Sequence, residues 1–135
     1  MRILVLGNPD SIWTREFIEF ALKRPDRKIS VLYDTQAKGE FAGFYESLGV
    51  EVIRTPPVSS IIMKIPKLRS IFMLKQYTNA ARSSLPYDAV INMFVTPSAL
   101  SCAIAQKRYG AIVVAYFCGS DIVRADGFNR ILLKK

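Results

Sequence analysis

The chain has 135 residues, half of them hydrophobic, which is enough for one two-sided core and too few for two ordinary domains. It contains no histidine, which excludes His-based triads, His metal sites and a His general base. The net charge is +8, yet six of the 19 basic residues and none of the 11 acidic ones fall in segment 54–85 (Arg54, Lys64, Lys67, Arg69, Lys75 and Arg82), so the basicity marks one local surface.

Residues 2–6 form a continuous apolar run ending at Gly7, as a central parallel strand does. The polar loop Asn8-Pro9-Asp10-Ser11 follows. Phe17, Ile18, Ala21 and Leu22 then recur at helical spacing, with Asp10 or Ser11 as cap and Pro25 as stop. Residues 28–33 read as a second strand with Asp34 at its end. Residues 39–48 read as a helix with Phe41, Phe44, Tyr45 and Leu48 on one side, closed by Gly49. A short third strand covers 50–53.

Pro56-Pro57 opens an irregular segment, and Pro66 breaks any helix before it. A helix is predicted over 67–85, with Ile71, Leu74, Thr78, Ala81 and Leu85 as its core face and Phe72 and Met73 off that face. Residues 89–94 form a fourth strand. Thr96-Pro97 starts the next helix, whose inner side is predicted as Leu100, Ala103, Ile104 and Lys107 and whose end is Gly110. A fifth strand, 111–117, reads as buried, and a last helical piece spans 128–133.

Strand and helix alternate throughout. The expected fold is α/β: a Rossmann-like, doubly wound parallel sheet of order 3-2-1-4-5 in three layers, forming a single domain over 1–135. The last helix has barely begun at Lys135, as in a fragment or a small complete domain. No run approaches the roughly 18 apolar residues of a membrane span. Met1-Arg2 leads straight into the first strand with no signal-peptide layout. Cys102 and Cys118 lack metal spacing and read as reduced thiols. A cytoplasmic protein is expected.

The most informative motif is Gly119-Ser120-Asp121, directly after the fifth strand. A parallel strand ending there puts small polar groups at the carboxyl edge of the sheet, where open α/β folds bind ligands. Glycine admits a ligand close to the backbone, Ser120 offers a hydroxyl, and Asp121 offers a carboxylate that either handles a proton or braces the next turn. The loop after the first strand has one glycine where a dinucleotide fingerprint needs three, so that pattern fails. Asp34 alone is a weak stand-in for a ribose-binding acid. A response-regulator Mg²⁺ site fails too, because Leu6-Gly7 and Arg54-Thr55 stand where its acids would.

The basic segment has three readings. It is a solvated helix face, a membrane-surface patch with Ile61, Ile62, Met63, Ile65, Phe72 and Met73 at the headgroup boundary, or a nucleic-acid surface without recognition signatures.

The opening strand, its Gly7-Asn8-Pro9-Asp10-Ser11 loop, and the helix bearing Thr14, Arg15, Phe17, Ile18 and Leu22 resemble the start of GT-B glycosyltransferases, in particular retaining family-four enzymes. The stretch from Val113 through Gly119-Ser120-Asp121 to Ile122 resembles the same family's fifth strand and following turn. The resemblance spans the chain as the N-terminal half of a two-domain enzyme. It implies a domain that binds a glycan, lipid-linked or cell-envelope acceptor, while a second domain binds most of the nucleotide-sugar donor. It implies no metal and no cofactor, no nucleic-acid partner, and an isolated chain without activity that is open to self-association.

The cleft residues implied are Gly7, Asn8, Asp10, Ser11 and Arg15, then Phe94 and Thr96, then Cys118, Gly119, Ser120 and Asp121, with Asp121 in the catalytic role. Lys64, Lys67, Arg69, Phe72, Met73 and Lys75 would form a peripheral membrane patch on the inner membrane face. Two departures stand out. Many members carry a His where Cys118 stands, and the opening loop lacks their paired glycines.

Overall fold

A computed structural model of the chain describes residues 1–82, 86–94 and 98–116. Five strands form one parallel sheet: β1 (Arg2–Gly7), β2 (Lys28–Tyr33), β3 (Glu51–Arg54), β4 (Ala89–Met93) and β5 (Ile112–Tyr116). Their order is β3-β2-β1-β4-β5, as expected. The helices between them are α1 (Ile12–Leu22), α2 (Ala42–Ser47), α3 (Ser60–Lys64), α4 (Pro66–Ala81) and α5 (Ser98–Tyr109).

Pleating divides the apolar runs between two cores. Ile3, Val5, Ile29, Val31, Ile91 and Met93 pack under α1 and α2 through Ile18, Ala21, Ala42 and Tyr45. Leu4, Leu6, Leu32 and Val90 pack on the other side under α4 and α5 through Met73, Tyr77, Ala80, Ala81, Cys102 and Ala105. Both faces of β1 are covered, which is why its sequence is apolar without alternation. From β1 the chain winds outward to β2 and β3, then returns to start β4 on the other side of β1. The β1–β4 seam is therefore the point where the winding reverses.

Caps set the helix ends. Ser11 caps α1 through its side chain, which accepts from the Trp13 N–H. Ile65 is extended and Pro66 opens α4 at its first turn, but the segment before it, expected to be irregular, contains one short helix, α3, capped by Ser59.

Four expectations about packing fail. The core face of α4 is Ser70, Met73, Tyr77, Ala80 and Ala81, whereas Ile71 is 51% exposed. Met73 is thus buried and cannot belong to a membrane patch. The inner side of α5 is Ser98, Ser101, Cys102 and Ala105, with Leu100 and Lys107 exposed. In both helices small residues face inward. The Thr78 and Ser101 hydroxyls lie 3.4 Å apart where α4 and α5 meet, a closeness that large side chains would prevent. Leu48, placed on the inner face of α2, is exposed. Finally, among the described residues β5 lies at the sheet edge with Ile112, Val114 and Tyr116 exposed, rather than buried. Leu85 and residues 128–133 lie outside the described residues.

Gly7 closes the seam. It pairs with Met93 and has φ +109°, and a Cβ built on it would lie 1.6 Å from the Met93 carbonyl oxygen. No side chain fits there. Gly7→Ala should therefore cost about 3 kcal/mol or more, combining overpacking against backbone with a disfavoured φ. Urea denaturation with equal midpoints for the variant and the parent chain would refute this account of the seam.

Candidate functional site

The carboxyl ends of β1, β2 and β4 open into a cleft of about 430 Å³. Its walls are Gly7, Asn8, Pro9 and Asp10 after β1, the 34–40 loop after β2, Met73 and Tyr77 of α4, and Phe94 after β4.

The loop after β1 is knitted by its own polar groups. The Asn8 carbonyl accepts from the Thr14 hydroxyl at 2.6 Å, and the Asn8 side chain accepts from the Asp10 N–H at 3.2 Å. The Asp10 carboxylate reaches across to the next loop. It accepts from the Lys38 N–H at 2.7 Å, the Gly39 N–H at 3.0 Å and the Phe41 N–H at 3.4 Å. The buried Tyr45 hydroxyl donates to the Pro9 carbonyl at 2.9 Å. Backbone amides that would otherwise lack partners thus tie the two loops into one wall.

Asp34 fixes the opposite end of that wall. Its carboxylate accepts from the Gln36 N–H at 2.7 Å and the Ala37 N–H at 3.2 Å, and its second oxygen accepts from the Tyr77 hydroxyl. Asp34 is 8% exposed and still lines the cleft. Burial, and then the Asp34 charge, push the Tyr77 phenol well above its ordinary value near 10. Burial likewise raises Tyr33 and Tyr45, with the Asp10 charge next in order for both. The Tyr33 hydroxyl is buried with no hydrogen-bond partner among the described residues. Burial also pushes the Cys102 thiol up to about 12, which makes it inert.

Phe94 directly follows β4 with φ 62°, the one non-glycine residue at positive φ among those described. A bulky residue there carries strain of about 1–3 kcal/mol and marks a place worth functional attention. Its N–H donates to the Tyr116 carbonyl at 3.1 Å, and its ring meets the Tyr116 ring edge-on with centroids 6.3 Å apart.

Of the residues expected in the cleft, Gly7, Asn8, Asp10 and Phe94 line it. Gly7 does so as the seam's spacer and Asp10 as a loop clamp. Ser11 is the α1 cap and is not part of the lining. Arg15 is not either: its Nε donates to Glu19 at 2.7 Å and its guanidinium lies over Phe44 and Phe41, at 4.7 and 5.5 Å from their centroids. It holds α1 against α2. Thr96, Cys118, Gly119, Ser120 and Asp121 lie outside the described residues. Sequence reasoning missed Gln36, Ala37, Lys38, Glu40 and Tyr77 as lining residues. No group of three or more metal-ligating side chains occurs among the described residues.

No protein-family model matches the chain, and no curated protein matches it. Among solved structures it is similar to the C-terminal domain of a hydrogenase from Pyrococcus furiosus, with a TM-score of 0.59 at 15% identity over 85% of this chain and 90% of that one. At that identity the likeness concerns the fold alone.

Tyr77→Phe removes a donor from a buried carboxylate and should cost about 1–3 kcal/mol. The raised phenols also fix a pH dependence. Below pH 10 folded and unfolded chains both hold these protons. Above it the unfolded chain loses them first, so stability falls as pH rises, by about 1.4 kcal/mol per unit for each such tyrosine. Chemical denaturation between pH 9 and 11 should show the Tyr77→Phe variant losing stability less steeply; identical slopes would contradict the assignment.

Proposed function

We propose that the chain is the acceptor-side domain of a GT-B-type glycosyltransferase, holding a hydroxyl-rich glycan, lipid-linked or cell-envelope acceptor while a partner domain presents the nucleotide sugar. One observation carries this reading: among the described residues, the cleft's charged lining is Asp10, Asp34 and Glu40 against Lys38. Lys38 is itself 3.8 Å from Glu40. A diphosphate would enter a net negative site with no glycine-rich amide cradle to receive it. A neutral polyol meets carboxylate acceptors and the Asn8 and Gln36 amides instead.

Asp121, which follows β5 in the sequence, is the candidate to position or deprotonate an acceptor hydroxyl, as the sequence resemblance suggests. Equilibrium dialysis should give retention of neutral glycosides and none of uridine or guanosine diphosphate. Tight diphosphate binding that is lost on Asn8→Asp substitution would overturn the reading.

A second reading, docking to an anionic membrane surface, is favoured by one specific feature. Ile61, Ile65, Leu68 and Ile71 are 70, 45, 39 and 51% exposed along α3 and α4. Lys64, Lys67 and Lys75 stand exposed among them, outside every ion pair of the described residues. Arg54, by contrast, is engaged by Glu46 at 2.7 Å. Apolar side chains flanked by free lysines suit a headgroup boundary, at about 1 kcal/mol per cation near an anionic surface. No helix among the described residues is long and apolar enough to cross a membrane. Both readings are of a cytoplasmic domain, peripheral to the membrane in the second, and the free buried thiol of Cys102 fits a reducing compartment. Vesicles containing phosphatidylglycerol should sediment the chain and phosphatidylcholine vesicles should not. Lys67→Glu with Lys75→Glu should weaken sedimentation about tenfold or more. Equal sedimentation by both vesicles would dismiss the ridge.

A further inference from the structure

The cleft contains two features that loop closure alone does not explain. The first is the Phe94 ring. A residue at φ 62° is best served by glycine or asparagine, yet this position holds an aromatic whose ring is only half buried and lines the cleft. Its edge-on partner Tyr116 belongs to an exposed strand, and the Phe94 ring touches the α1/α2 core only at the rim, leaving part of it to line the cleft. The second is the residual capacity of Asp34. Its carboxylate has about four acceptor sites, and the described donors are the Gln36 and Ala37 amides and the Tyr77 hydroxyl. Those donors hold it in one orientation at the cleft wall.

The two features come from opposite sides of the sheet. Phe94 packs on the α1/α2 core, whereas Asp34 is bonded to Tyr77 of the α4 side. They sit past the ends of β4 and β2, the two strands that flank β1, so their strand ends are about 10 Å apart. An aromatic face on one side and an oriented carboxylate on the other are what a sugar ring needs. The π face is negative and attracts the slightly positive C–H groups of one ring face. The carboxylate accepts a hydrogen bond from a hydroxyl at the ring's rim.

Resting on the acceptor-domain reading above, we propose that Phe94 and Asp34 form a subsite for a single pyranose unit of the acceptor, with Phe94 stacking on the ring and Asp34 accepting a hydrogen bond from one of its hydroxyls.

The test is a proton NMR titration of the full chain with methyl glucopyranoside, methyl galactopyranoside and methyl mannopyranoside, with sorbitol as an open-chain control. At least one pyranoside should bind, with the protons of one ring face shifted upfield by the aromatic ring current, and sorbitol should not. Phe94→Leu should abolish the upfield shift and weaken binding about tenfold, while Phe94→Tyr retains both. Tyr116→Leu removes the edge-on neighbour but leaves the stacking ring, so it should change binding less than twofold, roughly the smallest effect such a pair has. Asp34→Asn should weaken binding roughly tenfold in the folded fraction.

Pyranoside binding without ring-current shifts, or with Phe94→Leu and Tyr116→Leu equally impaired, would overturn the subsite and leave the acceptor-domain reading standing. Should Phe94→Leu fail to fold, retention of the upfield shift by Phe94→Tyr and its persistence in Tyr116→Leu still decide the matter. If no pyranoside binds the parent chain, the subsite and the reading beneath it fall together.

Discussion

Everything at the ligand edge of this sheet depends on how closely the backbones of β1 and β4 approach. Gly7 lies against the Met93 carbonyl, and the space for a Cβ is already filled by that oxygen. The approach does two things. It turns the chain out of β1 at positive φ, so that Asn8, Pro9 and Asp10 rise as a wall instead of continuing the strand. It also sets Met93, and therefore Phe94 after it, directly beside that wall. The winding reverses at the same seam, so among the described residues no helix crosses over it. A glycine that looks like a phosphate-approach residue is here a spacer between two strands.

Several residues with chemical potential are spent on architecture. Asp10 spans 28 to 31 positions of sequence to gather three backbone amides. Asp34 clamps its own turn and receives Tyr77 from 43 residues away. Such amides, left unpaired near a cleft floor, would cost on the order of 1–3 kcal/mol each. The clamps therefore rigidify the 34–41 loop as well as stabilise it. The result is a preformed cleft, in which a bound ligand need not organise the loops that hold it. Arg15 shows the same economy. Its charge and its planar face are both used between Glu19 and the Phe41–Phe44 pair, so it is not presented to an anion in the cleft.

Strand positions and order were legible in the sequence because a doubly covered parallel strand must be largely apolar, and β1, β2 and β4 are, with Ser30 and Asn92 as the buried polar exceptions. The loop after β1 was legible as a cleft wall for the same topological reason. Helix faces were not. In α4 the period-3.6 pattern led rightly to Ala81 but also to Ile71, which faces solvent, and it passed over Ser70 and Ala80, which face inward. Close helix–sheet packing selects for smallness, and a hydrophobicity pattern does not register it. The run in β5 misled in a related way: an edge strand with one exposed apolar face has the same composition as a buried one. Tyr77, Gln36 and Lys38 reach the cleft only through the fold, and no local motif marks them.

Charge separation within α4 bears on which ligand goes where. The helix turns 100° per residue, so Met73 and Tyr77, which line the cleft, lie on the side opposite Leu68, Ile71 and Lys75. One face therefore meets a site dominated by carboxylates, and the other presents lysines and exposed aliphatic side chains. The two are separated by a helix diameter, about 10 Å. That exceeds the roughly 8 Å screening length at physiological salt. The net charge of +8 thus says little about what the cleft binds, because the excess lies mainly outside it. An anionic partner drawn to the lysines gains nothing from the cleft, and a neutral polyol in the cleft gains nothing from the lysines. The two surfaces act independently, and a ligand that engaged both would need an anionic part on the ridge and a hydroxyl-rich part long enough to pass around the helix.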